Sequence, residues 1–393
     1  MSHYNFDSCT DRRHSDAIKY AELSQFFGDT DLLPMWIADM DFDVCPEICE
    51  ALTRRIDHHI YGYASIPPEF YPTISQWLQR RHNFKVEPEE MTFVPGVVRG
   101  IGYVINRLTR PGEKILIQPP VYHPFRHVIE GNNRVVVTNP LRPVAGGYEM
   151  DLEGLAEVIE REKPVMMILC NPHNPVGIQW SRETLERVAE ICARQGVIVI
   201  SDEIHGDLML GGISHVPFLD VSDDARRIGI MLGAPSKSFN IPGMVSSWMI
   251  IKDPLLRRRM FDWLTVNEFN VPTFFATTAT IAAYTHGEKW LDEALAYIEG
   301  NIDYVAENIG RMTGGKLKIV RPSASFLVWL DCRDLGMTHE QLKQFIIDKA
   351  RLALNDGAMF GIEGEGYMRM NLGAPRSVVE KALKQLSDAI MLI

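Results

Sequence analysis

Lysine is usually a solvated surface residue, but Lys237 follows the apolar run 228–232 within Ala234-Pro235-Ser236-Lys237-Ser238-Phe239-Asn240. It stands 35 residues after Asp202, which closes a second apolar run, 197–201. Desolvation at the end of a buried strand lowers a lysine's proton affinity and readies its amine for imine formation with an aldehyde. A carboxylate just past another buried strand can keep a pyridine nitrogen protonated, so that the ring accepts electrons. Together these are the requirements of pyridoxal phosphate (PLP).

Other chemistry-bearing residues fall at similar junctions. Gly96-Val97-Val98-Arg99-Gly100-Ile101-Gly102 follows a strand pattern and opens a helical one. Free backbone N–H groups at such a start suit a phosphate, although a glycine-rich start is more often only a turn. Gln118-Pro119-Pro120-Val121-Tyr122-His123-Pro124 fixes a loop from which Tyr122 can stack on a flat ring; taken alone, packing into the core is the commoner fate of such a tyrosine. Asn171-Pro172-His173-Asn174-Pro175-Val176-Gly177 encodes a rigid turn that can present an amide to a ring oxygen. In Asp202-Glu203-Ile204-His205 the histidine adds a donor three residues beyond the acid.

The elements that must position these residues are legible in the hydrophobic pattern. Runs over 91–94, 114–118, 134–138, 165–170, 197–201 and 228–232 are almost continuous in Val, Ile, Leu and Met, as in strands buried on both faces. Helical spacing over 152–162 and 184–194 lies between them, with Ser181 and Thr184 at a helix start. The alternation predicts an α/β fold with a large, doubly wound, mostly parallel sheet, whose ligands collect at the carboxyl ends of the strands. Beyond about residue 288 the pattern becomes helix 290–312, strands 316–320 and 326–330, helix 339–350, strand 367–372 and helix 377–391. We therefore expect a large domain over 45–288 and a smaller α+β domain built from 1–44 plus 289–393.

Composition agrees with a soluble enzyme. The chain has 393 residues, more than one core usually serves, and 46% hydrophobic with 23% charged residues is ordinary for a globular protein. A net charge of −11 argues against nucleic acid as a partner. No run reaches membrane-span length and the polar start does not resemble a signal sequence. Six cysteines without CxxC or zinc-like spacing suggest no metal site and a cytoplasmic setting.

Taken in order, these motifs resemble the PLP-dependent aminotransferase superfamily of fold type I, and within it the cystathionine β-lyase branch of MalY/PatB-type carbon–sulfur lyases. The likeness spans nearly the whole chain. It rests also on Leu33-Pro34-Met35-Trp36-Ile37-Ala38-Asp39-Met40-Asp41-Phe42, Tyr61-Gly62-Tyr63 and Met368-Arg369-Met370-Asn371. The resemblance implies that Lys237 carries the cofactor as a Schiff base and shuttles the α-proton of the substrate. It implies that Asp202 pairs with the ring nitrogen, Asn174 with the phenolic oxygen, and Tyr122 with the ring face. Gly96, Val97, Val98 and Ser236 would hold the phosphate, and His205 would complete the cofactor site. Arg369 and Ala38 would meet the substrate, Arg369 as a bidentate fork on its carboxylate. Tyr63 would come from the partner subunit of a homodimer with shared active sites.

Two departures from the wider superfamily pattern bear on the reaction. Val245 stands where a phosphate-binding arginine is usual, and His205 where many relatives carry a tyrosine. Both fit the lyase branch, so the expected reaction is β-elimination from cystathionine or a related S-substituted cysteine, giving a thiol, pyruvate and ammonia. The alternatives are an aminotransferase using the same cofactor and a PLP-binding regulatory protein. A nicotinamide dehydrogenase is disfavoured, because Gly96-x-x-x-Gly100-x-Gly102 lacks the GxGxxG spacing.

Overall fold

The computed structural model describes residues 4–392. Seven strands form its main sheet, in the order Met91–Val94, Ser247–Ile250, Gly229–Gly233, Ile198–Asp202, Met166–Cys170, Lys114–Ile117 and Val135–Thr138. All run parallel except Ser247–Ile250, which is antiparallel to both neighbours. The strand period of two divides their side chains between two cores. Val94, Ile115, Ile117, Ile168, Ile200, Ile230 and Leu232 pack on one face with helices Val97–Leu108, Pro124–Gly131 and Pro254–Val266. Leu116, Met167, Leu169, Val199 and Met231 pack on the other, against helices Leu152–Glu162 and Arg182–Arg194. With apolar neighbours on both sides, these strands needed no polar alternation, which is why they read as continuous runs.

A second, antiparallel sheet has the order Lys318–Val320, Leu327–Asp331, Tyr367–Asn371 and Asn355–Asp356. Helices Glu288–Met312 and Arg376–Ile390 bury Ile298, Ile302, Val305, Val379 and Leu383 in the same core as this sheet. The N-terminal stretch threads between the parts. Leu33–Pro34 runs parallel to Leu352–Ala353, and Asn371 N–H donates to Met35 O at 2.9 Å.

The six long strands anticipated in the main sheet are present, and three details differ. Ser247–Ile250 was not anticipated; it is a four-residue run whose antiparallel direction no sequence period reports. Asp202 is the last residue of its strand rather than the first beyond it, paired with Cys170 and Leu232. Lys237 lies in a one-turn helix, Pro235–Ser238, rather than an open loop. Helices Pro46–Ile56, Phe70–His82 and Phe274–His286 were also unanticipated; the last is apolar nearly all round and so shows no stripe.

Candidate active site

The carboxyl edge of the main sheet collects the residues singled out above, because the parallel strands all end there. Val94 leads into Gly96, Ile117 toward Tyr122, Cys170 into the Asn174 turn, and Gly233 into Lys237. They line one cavity of about 310 Å³, whose walls include Ala38, Gly96, Val97, Val98, Tyr122, Asn174, Asp202, His205, Ser236, Lys237 and Val245. At one end the helix Val97–Leu108 presents its N-terminus. Gly96 precedes it at φ 106°, a left-handed geometry that a side chain would strain, and open space surrounds the position a Cβ would take. Bare N–H groups and the nearby Ser236 hydroxyl therefore form an anion cradle. Arg99, not singled out from the sequence, lines the same end. Val245 is there too, held at φ 52°, which is costly for a β-branched residue.

At the other end the groups are buried and titratable. Asp202 is 4% exposed and accepts Ile204 N–H at 3.1 Å. Burial, reinforced by Glu203, pushes its carboxyl up to about 7 against the pull of Ile204 N–H and Lys237. Burial, with the charge of Arg369, pulls Lys237 down to about 8 against Asp39 and Asp202. Its ammonium donates to Ala38 O. Burial drives His205 down to about 3, with Lys237 and Arg369 adding to the fall, so its imidazole is neutral. His205 Nδ1 is buried without a partner. Tyr122 lies edge-on to Phe125, with ring centroids 5.6 Å apart, and its N–H donates to Asn174 O at 3.0 Å.

Ala38, Tyr122 and Lys237 also border an adjoining chamber of about 450 Å³, which contains Arg369. Arg369 sits on an inner strand of the second sheet, opposite Asn355 and Trp329. Its guanidinium donates to Asn174 Oδ1 at 3.1 Å, to Trp36 O at 3.0 Å and to Asn355 Oδ1, leaving Nε buried and unpartnered. Burial lowers Arg369 to about 10, still cationic at neutral pH. Asn355 was not singled out in the sequence, where a lone asparagine in a short strand gives no signal.

These donors fit PLP. An anion cradle, a buried carboxylate for a protonated nitrogen, a neutral histidine with a free ring atom and a lysine amine share one cavity. Ala38 is held in place by its surroundings. Asn371 donates to Ile37 O and Asp39 O, each at 2.6 Å, while Lys19 and Arg12 clasp Asp39 and Asp41. Behind the sheet edge, Glu203 accepts from Ser201 Oγ at 2.7 Å and Phe218 N–H at 2.9 Å and contacts His215 Nε2 at 2.6 Å. His215 Nδ1 meets Gln179 Oε1 at 2.7 Å, and Gln179 donates to Asn171 Oδ1 at 3.0 Å. This brace ties the strand of Asp202 to the turn of Asn174.

The profile of the aminotransferase class I and II family matches residues 30–386. The chain belongs to that family. It is 41% identical to cystathionine β-lyase PatB of Bacillus subtilis, across 98% of this chain and all of that one. It is 34% identical to the protein MalY of Escherichia coli, across 98% of this chain and 99% of that one. Two solved structures superpose closely. Cystalysin from Treponema denticola, containing pyridoxal 5′-phosphate, gives a TM-score of 0.94 at 30% identity, covering 99% of each chain. A PLP-bound C-S lyase from Staphylococcus hominis gives 0.90 at 30% identity, covering 98% of each. The architecture is thus fold type I of the PLP-dependent transferases, as the resemblance implied, and its main sheet is the mostly parallel one that the strand pattern led us to expect.

Of the residues named from the sequence, Tyr63 alone stands apart. Its side chain is fully exposed, and it does not line the cavity. Ile60 and Tyr61 beside it are exposed as well, and Tyr61 stacks on Phe274 at 5.8 Å between centroids.

Proposed function

We propose that this protein is a PLP-dependent carbon–sulfur β-lyase that cleaves cystathionine or related S-substituted cysteines. The observation that carries this reading is the meeting of Lys237, Asp202, Asn174 and His205 in one cavity, with Arg369 opening from the adjoining chamber. The 41% identity to cystathionine β-lyase PatB supports it across the chain. Bound in the cavity, PLP would supply an electron-accepting ring that stabilises negative charge on the substrate α-carbon.

The chain's own residues perform the rest. Gly96, Val97, Val98 and Ser236 hold the phosphate, and Tyr122 covers the ring. Asp202 keeps the ring nitrogen protonated, while Asn174 and His205 address the ring oxygen. Arg369 receives the substrate carboxylate, oriented by Asn355 and the Trp36 carbonyl. Lys237 Nζ takes the α-proton, for which an amine near 8 is suited at physiological pH. The Cβ–S bond then breaks with its electron pair on sulfur, and the proton on Nζ can pass to the departing thiolate. Water converts the remaining fragment to pyruvate and ammonia.

The fully exposed Tyr63 with Ile60 and Tyr61 supports a homodimer in which Tyr63 completes the partner subunit's site. Two separate sheets support a large domain over 45–288 and a small one from 1–44 and 289–393. No helix among the described residues is long and apolar enough to cross a membrane, and the cysteines are free, which supports the cytoplasmic setting. Incubation with an S-substituted cysteine, with and without added keto acid, tests the reaction. Turnover without keto acid is expected, and an absolute need for one would mark an aminotransferase instead.

A further inference from the structure

The segment Asp202-Glu203-Ile204-His205-Gly206-Asp207 faces two ways. Asp202 and His205 line the cavity, while Asp207 points into the protein behind it. Asp207 is 8% exposed and gathers three side chains. Its Oδ1 accepts Trp77 Nε1–H at 2.9 Å and meets His82 Nε2 at 2.7 Å, and its Oδ2 accepts Ser238 Oγ–H at 2.7 Å. Ser238 is completely buried and follows Lys237 in the one-turn helix Pro235–Ser238. The next residue, Phe239, packs edge-on against Trp77 and Tyr284, at 5.6 and 5.9 Å between centroids.

We propose that Asp207 is a positioning residue for Lys237, its bond to Ser238 setting the lysine's turn in register with the strand that carries Asp202. The inference rests on the role given to Lys237 above. A four-residue helix has too few internal hydrogen bonds to fix its own orientation. Lys237 is held at its tip by Ala38 O, and the base of the turn needs a second point of attachment. Ser238 supplies the donor and Asp207 the acceptor. An acceptor-only group suits this place, because donors converge on both of its oxygens. Burial would raise the Asp207 carboxyl, but the bonds from His82, Ser238 and Trp77 outweigh it and hold the group below the ordinary range. It therefore stays a carboxylate while the site above it changes protonation.

Two variants of the full chain test the clamp. Asp207→Asn places an amide donor among the donors, and Ser238→Ala removes only the bond to the lysine turn, leaving Asp207 with His82 and Trp77. Two readouts apply to each: the Lys237 titration, followed by NMR after ¹³C reductive methylation of the cofactor-free chain, and kcat and KM on an S-substituted cysteine. Burial sets the Lys237 titration first, with Arg369, Asp39, Asp202 and Lys19 adding to or opposing it. Neither variant replaces any of those four, so a moved midpoint reports a lysine turn that has shifted out of its buried place. Both variants are expected to move the Lys237 midpoint from about 8 toward the ordinary 10.5 and to lower kcat about tenfold or more, with KM little changed. An unmoved midpoint in Ser238→Ala overturns the proposal, and that variant decides alone if Asp207→Asn fails to fold. A purely structural Asp207 would lower stability and leave the midpoint in place. Failure of the wild-type chain to take up PLP would instead sink the role of Lys237, and the NMR midpoint would still judge the clamp.

Discussion

Replacing Asp202 with asparagine separates what this carboxylate costs the fold from what it does in the site. In the cofactor-free protein, burial, with Glu203, raises Asp202 from 3.8 to about 7. A group that holds its proton more tightly folded than unfolded favours the fold at low pH. That contribution is lost as pH climbs from the unfolded value through about 7. At about 1.36 kcal/mol for each tenfold change in proton affinity, the gap corresponds to about 4 kcal/mol. Asparagine has the same shape, retains an acceptor for Ile204 N–H and carries no charge. Urea unfolding of the two cofactor-free proteins, at intervals from about pH 3 to 9, measures the difference. Its expected course is flat below about pH 4, then a rise of about 4 kcal/mol in favour of Asp202→Asn by about pH 8. Saturation with PLP should shrink or reverse that advantage, because the cofactor binds the wild-type fold more tightly. A difference that moves by less than about 1 kcal/mol between pH 4 and pH 8 would mean that the carboxylate is not desolvated.

Three further outcomes are expected. With Lys237 near 8, the elimination rate should climb as pH rises toward about 8, where the amine loses its proton, and then level off; a rate falling over that range would exclude the lysine as base. Arg369→Lys exchanges a planar fork for a point charge and should raise KM about tenfold or more with a smaller change in kcat, read from initial rates. Gly177 sits at φ 69° with Pro322 Cβ 2.5 Å from where a Cβ would lie, so Gly177→Ala should cost about 1–3 kcal/mol in denaturant unfolding.

The site was legible where chemistry and chain order coincide. Lys237, Asp202 and the Asn174 turn each follow an apolar strand, and parallel strands must end on one edge, so their meeting could be derived from the runs alone. Arg369 could not be placed that way. It lines the adjoining chamber from a separate sheet, and its orientation depends on Asn355 and the Trp36 carbonyl, contacts between separate segments that leave no period. Asp207 and the Glu203–His215 brace were hidden for a related reason. Buried acids look like surface acids until their donors are known, and Trp77, His82, Ser238 and Gln179 come from distant segments. The antiparallel strand Ser247–Ile250 was missed because burial on both faces erases direction from a strand's composition.

Whether Lys237 drives β-elimination is read from product stoichiometry on cystathionine without added keto acid, for the wild-type protein beside Lys237→Ala. Homocysteine and pyruvate are expected in equal amounts from the wild type, and a rate about 10² to 10⁴ times lower from the variant. Full turnover by Lys237→Ala, or no thiol released by the wild type, would contradict it.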